Sequence, residues 1–392
     1  MKKLLSIALA LLMVCVMLPV AAMAAGSAAS SLPDPVGGTI TLESNVELEG
    51  MLEINGTGAG AVTASVLDLN GYTISGKGTV LDVYGTLEIT DSSANHKGKI
   101  VSTAITNPEN PNSNAVWVNP GADVTITGGT INAKSWSVVI AGSGADASLT
   151  VNGSRVVINN GISGNGSAGG CNTTINIVNG KIKSNDVAIY HPQVGTLNVS
   201  GGTIIGATGI EMRSGDLNVT GGTITATASK VEVVANGNGN TTTGAAIAVA
   251  QHTTKNEINV FIGGGKLSGA AVINEANPQE NSDEDTAKVK IMVNGGKLYG
   301  AVNKAGDKST IHIAGGTFTA TRSELKVIKT FIVEDNVILK VESTYTPSES
   351  EPAPSTPDDT KNPTTGSNDF VGIAAAAAVM ALLGSAVIIR KK

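Results

Sequence analysis

The chain has 392 residues, with 48 glycines, only 15% charged and 3% aromatic residues, and a formal net charge of −6. The low charge and the many β-branched residues exclude a disordered chain, and glycine without a three-residue period excludes collagen. An acidic balance with no basic block argues against a nucleic-acid-binding protein. Two cysteines are too few for a disulfide scaffold. A glycine-rich, β-rich, weakly charged protein remains.

The amino-terminal segment has the pattern of an export signal. Two lysines precede an apolar run over residues 4–20, and the small residues of Ala22-Met23-Ala24 follow. This order predicts a helical secretory signal peptide over residues 1–24, with a permanent membrane anchor as the alternative interpretation. A short lead over residues 25–36 comes next.

An eight-residue block recurs through the body of the chain and predicts a repeat fold. Its clearest copies read VTITGGTI at 124–131, LNVSGGTI at 197–204 and LNVTGGTI at 217–224. Weaker copies begin at Leu67, Leu87, Leu149, Ile175, Val260, Ile291 and Ile311. Successive copies start 20 to 43 residues apart, which indicates a unit near 20 residues that carries insertions.

Each block alternates apolar and polar residues, which is typical of a strand with one buried face. Leu197, Val199 and Ile204 are expected to face inward, and Asn198 and Thr203 outward. The Gly-Gly pair suits a sharp corner because glycine adopts a positive φ without strain. With a further short strand between blocks, one unit is predicted to hold three strands of about four residues and three turns.

Short strands that stack on the copies above and below predict an all-β fold, a right-handed parallel β-helix over residues 37–343. The blocks and the irregular ends together indicate about 11 or 12 coils, the first near residues 38–40 and the last near residues 331–339. Three units carry asparagine at the same block position, which predicts a hydrogen-bonded ladder of Asn176, Asn198 and Asn218.

The GGTI blocks and the segment LDLNGYTI at 67–74 resemble surface proteins of the pectate-lyase-like β-helix superfamily, over roughly residues 37–341. The resemblance implies that a lyase of this fold would use clustered acidic residues for Ca²⁺ and an Arg or Lys as base on one strand face. The third strand of one unit carries Glu211 and Arg213, which share a face because they are two residues apart. Two interpretations stay open, a sugar-binding or lyase site and a solvated surface pair.

The third strands also offer a ligand face made of Trp117, Trp136, Tyr190 and His191. No metal site is predicted, because the histidines lack metal-ligand spacing and no Asp pair recurs on adjacent coils. No cofactor is predicted either, since the glycine-rich loops lack a phosphate-binding motif.

Two insertions, over residues 228–244 and 274–287, are the expected places for contact with a partner, because loops carry variable function. The second insertion contains the acidic run over residues 275–285, which is expected to be a solvated loop, with weak cation binding as the alternative interpretation.

Three features follow the predicted β-helix. Residues 344–361 form a linker rich in Pro, Ser and Thr, which is expected to be extended. The pentapeptide Asn362-Pro363-Thr364-Thr365-Gly366 comes next, then an apolar segment over residues 370–389 and the basic tail 390–392. The apolar segment is long enough for a transmembrane helix, and the basic tail favours a cytoplasmic end with the rest of the chain outside.

Residues 362–392 resemble the cell-wall sorting signal of Gram-positive surface proteins, with Asn362 in place of the commoner Leu. The resemblance implies that a sortase cuts between Thr365 and Gly366 and joins the Thr365 carboxyl group to peptidoglycan. The apolar segment would hold the chain in the membrane until that step. A simple carboxyl-terminal membrane anchor is the alternative interpretation.

Two functions of different classes follow. The first is a non-enzymatic protein of the cell wall and cell surface, an adhesin or a binding or structural module for host or neighbouring-cell glycans or proteins. The second is a surface polysaccharide lyase or glycoside hydrolase. Few aromatic residues disfavour a conventional sugar site, and a net charge of about −10 for residues 25–365 disfavours anionic ligands. Paired carboxylates on adjacent coils would favour the enzyme.

Overall fold

The computed structural model describes residues 32–33, 35–58, 60–104, 113–166, 172–237, 239–320, 332–333 and 338–341. These residues form an all-β protein in which parallel strands stack as a solenoid, and the helix among them has four residues. The predicted all-β repeat fold is confirmed at this level. The predicted signal peptide, linker and sorting signal lie outside the described residues. Within the described ranges, no helix is long and apolar enough to cross a membrane.

Each strand pairs in parallel with the equivalent strand of the next coil, so that three ladders, here called the first, second and third face, run along the solenoid. The first face contains Thr39–Thr41, Val66–Asp68, Thr86–Thr90, Asp123–Ile126, the starts of Ser148–Asn159 and Thr173–Lys183, Gly195–Val199, Gly215–Val219, Ile258–Ile262, the starts of Val289–Asn303 and Thr310–Ala320, and Ile332–Val333. The second face contains Val46–Glu47, Thr73–Gly76, Lys99–Ser102, Thr130–Asn132, the ends of Ser148–Asn159 and Thr173–Lys183, Thr203–Gly206, Thr223–Ala226, the start of Lys266–Glu275, the middle of Val289–Asn303, the end of Thr310–Ala320, and Ile338–Val341. The third face contains Leu52–Ile54, Leu81–Val83, Val116–Val118, Val138–Ala141, Ile162–Asn165, Val187–His191, Thr208–Met212, Ala245–Val249, and the ends of Lys266–Glu275 and Val289–Asn303.

Three elements, two strands and one short helix, stand outside the ladders, and all of them belong to the predicted insertions. Strands Glu232–Asn236 and Gly239–Thr243 form an antiparallel hairpin. The short helix Asp283–Thr286 begins at Ser282, whose hydroxyl accepts a hydrogen bond from the backbone of the helix. The insertions therefore have regular structure of their own.

The core is built by the inward residues of each strand, as the alternation predicts. Leu197, Val199 and Ile204 are completely buried, whereas Asn198 and Thr203 are partly exposed. In register with their equivalents on neighbouring coils, such residues form one continuous apolar core. Each fully buried Leu or Ile side chain contributes about 1.5–3 kcal/mol relative to an exposed one, so the stack stabilises coils that could not fold alone.

The Gly-Gly corner is explained by two different requirements. Gly202 has a φ of 72°, which a residue with a Cβ rarely adopts. Gly201 has an ordinary φ, but a Cβ there would collide with the carbonyl oxygen of Val178 on the preceding coil. The first glycine is therefore needed for space between coils and the second for the direction of the turn.

The predicted asparagine ladder is present on the first face. The Asn198 side-chain N–H donates to the Asn176 side-chain oxygen at 3.0 Å, and Asn218 donates to Asn198 at the same distance. Asn176 continues the ladder to the hydroxyl of Thr150 at 3.3 Å. These bonds connect four successive coils through side chains, in addition to the backbone pairing.

Candidate functional site

The outward residues of the third face form one column along the solenoid axis, here called the third-face column. In stacking order it consists of Glu53, Asp82, Trp117, Val139, Ser163, Tyr190, Glu211, Ala248, Asn274 and Asn303. Three residues predicted from the sequence, Trp117, Tyr190 and Glu211, therefore share this column. All its members except Glu53, Trp117 and Asn303 are at most 9% exposed, so most outward positions on this face are not solvated.

Trp136 joins the column from the corner before Val138–Ala141. Its ring stacks on that of Tyr190, with the centroids 6.2 Å apart and an angle of 22° between the planes. Gly161 makes room for the stack, because a Cβ there would lie 2.9 Å from the indole ring of Trp136. Burial raises the pKa of Tyr190. The structure thus brings two members of the predicted ligand face into contact.

His191, the fourth predicted member, lies on the other side of its strand. It pairs in register with the core residue Met212 and is completely buried. Its Nδ1 lies 3.1 Å from the carbonyl oxygen of Ser214, and burial lowers its pKa to about 4. His191 Nε2, the side-chain amide of Gln193 and the Ser214 hydroxyl are buried without a hydrogen-bond partner. This interior polar group was not foreseen, because nothing in the repeat pattern marks it.

Glu211 and Arg213 do share one face of their strand, but they are buried rather than solvated. Arg213 Nη1 lies 3.3 Å from Glu211 Oε1 and donates to the carbonyl oxygen of Asn240 at 2.9 Å and to its side-chain oxygen. Arg213 Nη2 donates to the carbonyl oxygen of Gln251 at 3.1 Å, and Glu211 accepts from the Thr242 backbone at 3.4 Å. The interpretation as a solvated surface pair is wrong because the second strand of the hairpin covers the pair.

The second insertion is tied to the same place through Gln251. The Gln251 side-chain amide donates to the carbonyl oxygens of Lys255, Asn256 and Asp285 at 3.0–3.3 Å. Gln279 in turn donates to the Gln251 carbonyl oxygen at 2.8 Å. Because Arg213 donates to that same carbonyl oxygen, one buried arginine helps to hold both insertions against the third face.

The acidic run of the second insertion is only partly the solvated loop that was expected. Glu275 is 3% exposed and accepts backbone N–H groups from Ala305 and Gly306 at 2.7 and 2.8 Å. At the other end Asp285 pairs with two lysines at 2.9 Å each, which lowers its pKa to about 2. The middle of the run is exposed and consists of Glu280, Asp283 and Glu284.

Burial governs the chemistry of the Glu211 carboxyl group. It raises the pKa of Glu211 to about 7, although the neighbouring Arg213 opposes that shift, and Asp186 adds to it. A carboxyl group that titrates near neutrality suits proton transfer, but a catalytic base must reach the atom it deprotonates. Glu211 is 1% exposed and Arg213 is completely buried, so neither side chain can contact a bound sugar in this conformation.

A second acidic pair, missed from the sequence, lies near the start of the third-face column. Glu53 and Asp82 pair in register on adjacent coils, with Trp117 on the next coil. Asp82 accepts from the Asn119 side-chain amide at 2.5 Å and from the Tyr84 hydroxyl at 3.1 Å, and burial raises its pKa. An irregular spacing of 29 residues hides this Glu–Asp register in the sequence. The described part of the chain holds no group of three or more His, Cys, Asp or Glu side chains suited to a metal ion.

The predicted sortase residues, Asn362, Pro363, Thr364, Thr365 and Gly366, lie outside the described residues. Comparisons of the chain with protein-family models, with curated proteins and with solved structures gave no significant match. The two resemblances seen in the sequence therefore stay proposals.

Proposed function

We propose that this chain is an exported, non-enzymatic surface protein that a sortase joins to peptidoglycan, and that its β-solenoid serves as an adhesin or as a binding or structural module for glycans or proteins. The observation that carries the proposal is the burial of Glu211 and Arg213. The pair that best fitted lyase chemistry is covered by a hairpin and engaged in structural hydrogen bonds. A protein that binds along its faces needs no such pair.

The finer architecture belongs to the same proposal. We infer a right-handed parallel β-helix of about 11 or 12 coils, of the pectate-lyase-like kind. Among the described residues, the ladder of the first face and the ladder of the second face each contain twelve strand segments, which supports this count. The handedness follows from the strong preference of parallel strand connections for the right-handed crossover.

The anchoring proposal is supported by the order of pentapeptide, apolar segment and basic residues over 362–392. We expect Thr365→Ala with Gly366→Ala to abolish covalent attachment, because the bond that the sortase cuts is changed. The measurement is the amount of protein that muramidase releases from the wall fraction. Ser367→Ala with Asn368→Ala, just after the motif, should leave attachment unchanged. Covalent attachment of the Thr365/Gly366 variant would contradict the proposal.

A surface glycoside hydrolase is the second candidate, because Glu53 and Asp82 stack on adjacent coils beside Trp117. Neighbouring strands lie about 4.8 Å apart, which is compatible with the carboxyl separation of about 5–5.5 Å in retaining enzymes. A glycan turnover assay decides between the candidates. If the protein turns over a glycan, and Asp82→Asn abolishes this turnover while Glu211→Gln preserves it, the enzymatic function replaces the binding function.

A further inference from the structure

The second face differs from the other two in the charge of its outward residues. From Thr73–Gly76 to Thr310–Ala320, the described outward positions of this face hold no Asp or Glu. One outward column consists of Thr73, Lys99, Thr130, Val157, Lys181, Thr203, Thr223, Lys266, Lys297 and Thr317. The parallel column consists of Ser75, Val101, Asn132, Asn159, Lys183, Ile205, Thr225, Ser268, Tyr299 and Thr319.

Lysines recur along the first of these columns at a regular interval. Lys99, Lys181 and Lys266 are separated by three coils each, which corresponds to about 14 Å along the axis. Lys297 lies on the coil after Lys266, and the Lys266 ammonium group stands 5.7 Å from the centre of the Tyr299 ring. The coils between the lysines mostly present threonine hydroxyl groups.

Apart from Glu47 on the first coil of the second face, the acidic outward residues lie on the other two faces. The outward positions of the first face include Glu88, Asp123 and Asp216, and those of the third face include Glu53, Asp82 and Glu211. The formal net charge of −6 therefore conceals one basic face. The expectation that the negative charge disfavours anionic ligands applies to the whole chain but not to this face.

We propose that the second face binds a linear polysaccharide that carries negative charges and lies along the solenoid axis. The ammonium groups of the lysines pair with carboxylate, sulfate or phosphate groups of the polymer, and threonine hydroxyl groups between them bond to sugar hydroxyls. Lys99, Lys266 and Lys297 are exposed. The choice of a polysaccharide as the polymer rests on the proposed function at the cell surface.

The charge density of the face also favours a sparse polyanion over a nucleic acid. Seven coils separate Lys99 from Lys297, which is about 34 Å, and this length holds five outward lysines. Duplex DNA would present about 20 charges over the same length. Most of those charges would lack a partner, and the acidic residues of the first face would repel them. A polymer with one charge per one or more sugar units matches the lysines better.

The proposal is tested with the full chain, purified in a neutral detergent, and with dextran polymers of equal length. Carboxymethyl-dextran and dextran sulfate should bind and neutral dextran should not, and binding should weaken between 50 and 200 mM salt, on the order of several-fold. Replacing Lys99, Lys266 and Lys297 by Gln should lower the affinity for both charged polymers by about tenfold or more.

The matched control replaces Lys230, Lys290 and Lys308 by Gln. These lysines are exposed and lie off the second face, so the same change of net charge should alter the affinity less than about twofold. Circular dichroism confirms that each variant is folded. Absence of binding to either charged polymer, equal loss in both variants, or tighter binding of duplex DNA than of the charged dextrans would overturn the proposal.

This outcome is separable from that of the proposed function. The Lys99/Lys266/Lys297 variant should still be released from the wall fraction by muramidase, because it leaves residues 362–366 intact. If the charged polymers do not bind but anchoring is normal, only the proposal for the second face is rejected.

Discussion

The second and third faces are built from the same alternating strands, yet their outward side chains have opposite surroundings. On the second face, Lys99 and Lys266 stand in solvent among threonines. On the third face, Ser163 and Glu211 occupy equivalent outward positions and are each 1% exposed. A strand pattern therefore determines which residues face the core, whereas at Glu211 the hairpin makes the other side of the strand a second interior.

Covering a face changes what its polar residues must do. A lysine in solvent needs no partner, but a charge removed from water needs an opposite charge or several hydrogen bonds. Glu211 and Arg213 meet this requirement through each other and through the hairpin residues Asn240 and Thr242. The pair is therefore an anchor for the insertions.

The largest expected effect is that of Arg213→Met. It leaves the Glu211 carboxyl group buried and removes donors from the carbonyl oxygens of Asn240 and Gln251. We expect a loss of about 3–5 kcal/mol in the free energy of unfolding, measured by urea denaturation. Lys266→Met on the second face should change it by at most about 0.5 kcal/mol. Similar small effects for both variants would contradict the anchor role.

A pair of matched substitutions tests the comparison directly. Val139 on the third face is 5% exposed, whereas Val157 occupies an outward, partly exposed position on the second face. Val139→Lys should destabilise the protein by about 3 kcal/mol because it buries an unpaired charge. Val157→Lys should be nearly neutral and should strengthen binding of charged dextran, since it adds a cation between Lys99 and Lys181. Equal destabilisation in thermal unfolding would show that both faces are covered.

The pH dependence of stability reports on the covered face. Burial raises the pKa of Glu211 from 4.5 to about 7, so the folded state binds more protons in this window and stability falls as pH rises through it. Burial lowers the pKa of His191 from 6.5 to about 4, so stability falls as pH drops through that window. The two contributions largely cancel where the windows overlap.

Removing the His191 side chain should reveal the contribution of Glu211 to the pH dependence of stability. In His191→Gln, the free energy of unfolding should fall by roughly 1 kcal/mol per pH unit as the pH rises from about 4.5 to 7. Adding Glu211→Gln should flatten this profile, with Asp186 and Arg213 still in place. Urea denaturation at several pH values is the measurement, and an unchanged profile in His191→Gln would show that the two groups do not titrate in these windows.

On the first face, we expect a smaller loss of stability than on the third face. Asn198→Ala removes the bond to Asn176 and the bond from Asn218, both at partly exposed positions. We expect a loss of about 1 kcal/mol, whereas Thr203→Ala on the second face should cost less. Equal effects in urea denaturation would mean that the ladder adds nothing to the backbone pairing.

The repeat explains which parts of this structure were predictable. The alternation of Leu197, Asn198 and Val199 predicted the inward and outward sides, and the shared block position predicted the asparagine ladder, because both depend on nearest neighbours in the stack. Sequence spacing could not predict the burial of Arg213, since its partner Gln251 lies 38 residues away and belongs to no block.

The lysine periodicity was hidden for the same reason. Lys99, Lys181 and Lys266 recur every third coil in space, but the single coils between them vary from 20 to 43 residues, so no constant repeat length marks the lysines in the sequence. The register of Glu53 with Asp82 was concealed by another irregular coil. Local periodicity identifies a strand, whereas the alignment of coils depends on where each insertion leaves the solenoid.

The direction of the ladder bonds has a mechanical consequence. Between the ends of the ladders, each strand of a face pairs with the coil before and the coil after it, so these backbone hydrogen bonds point along the axis. Tension along that axis loads one boundary between coils at a time instead of shearing many bonds together. A detached coil such as that from Thr203 to Thr223 frees 20 residues, which extend to about 70 Å from a rise of about 5 Å. The protein is therefore expected to lengthen in steps under load, one coil per step.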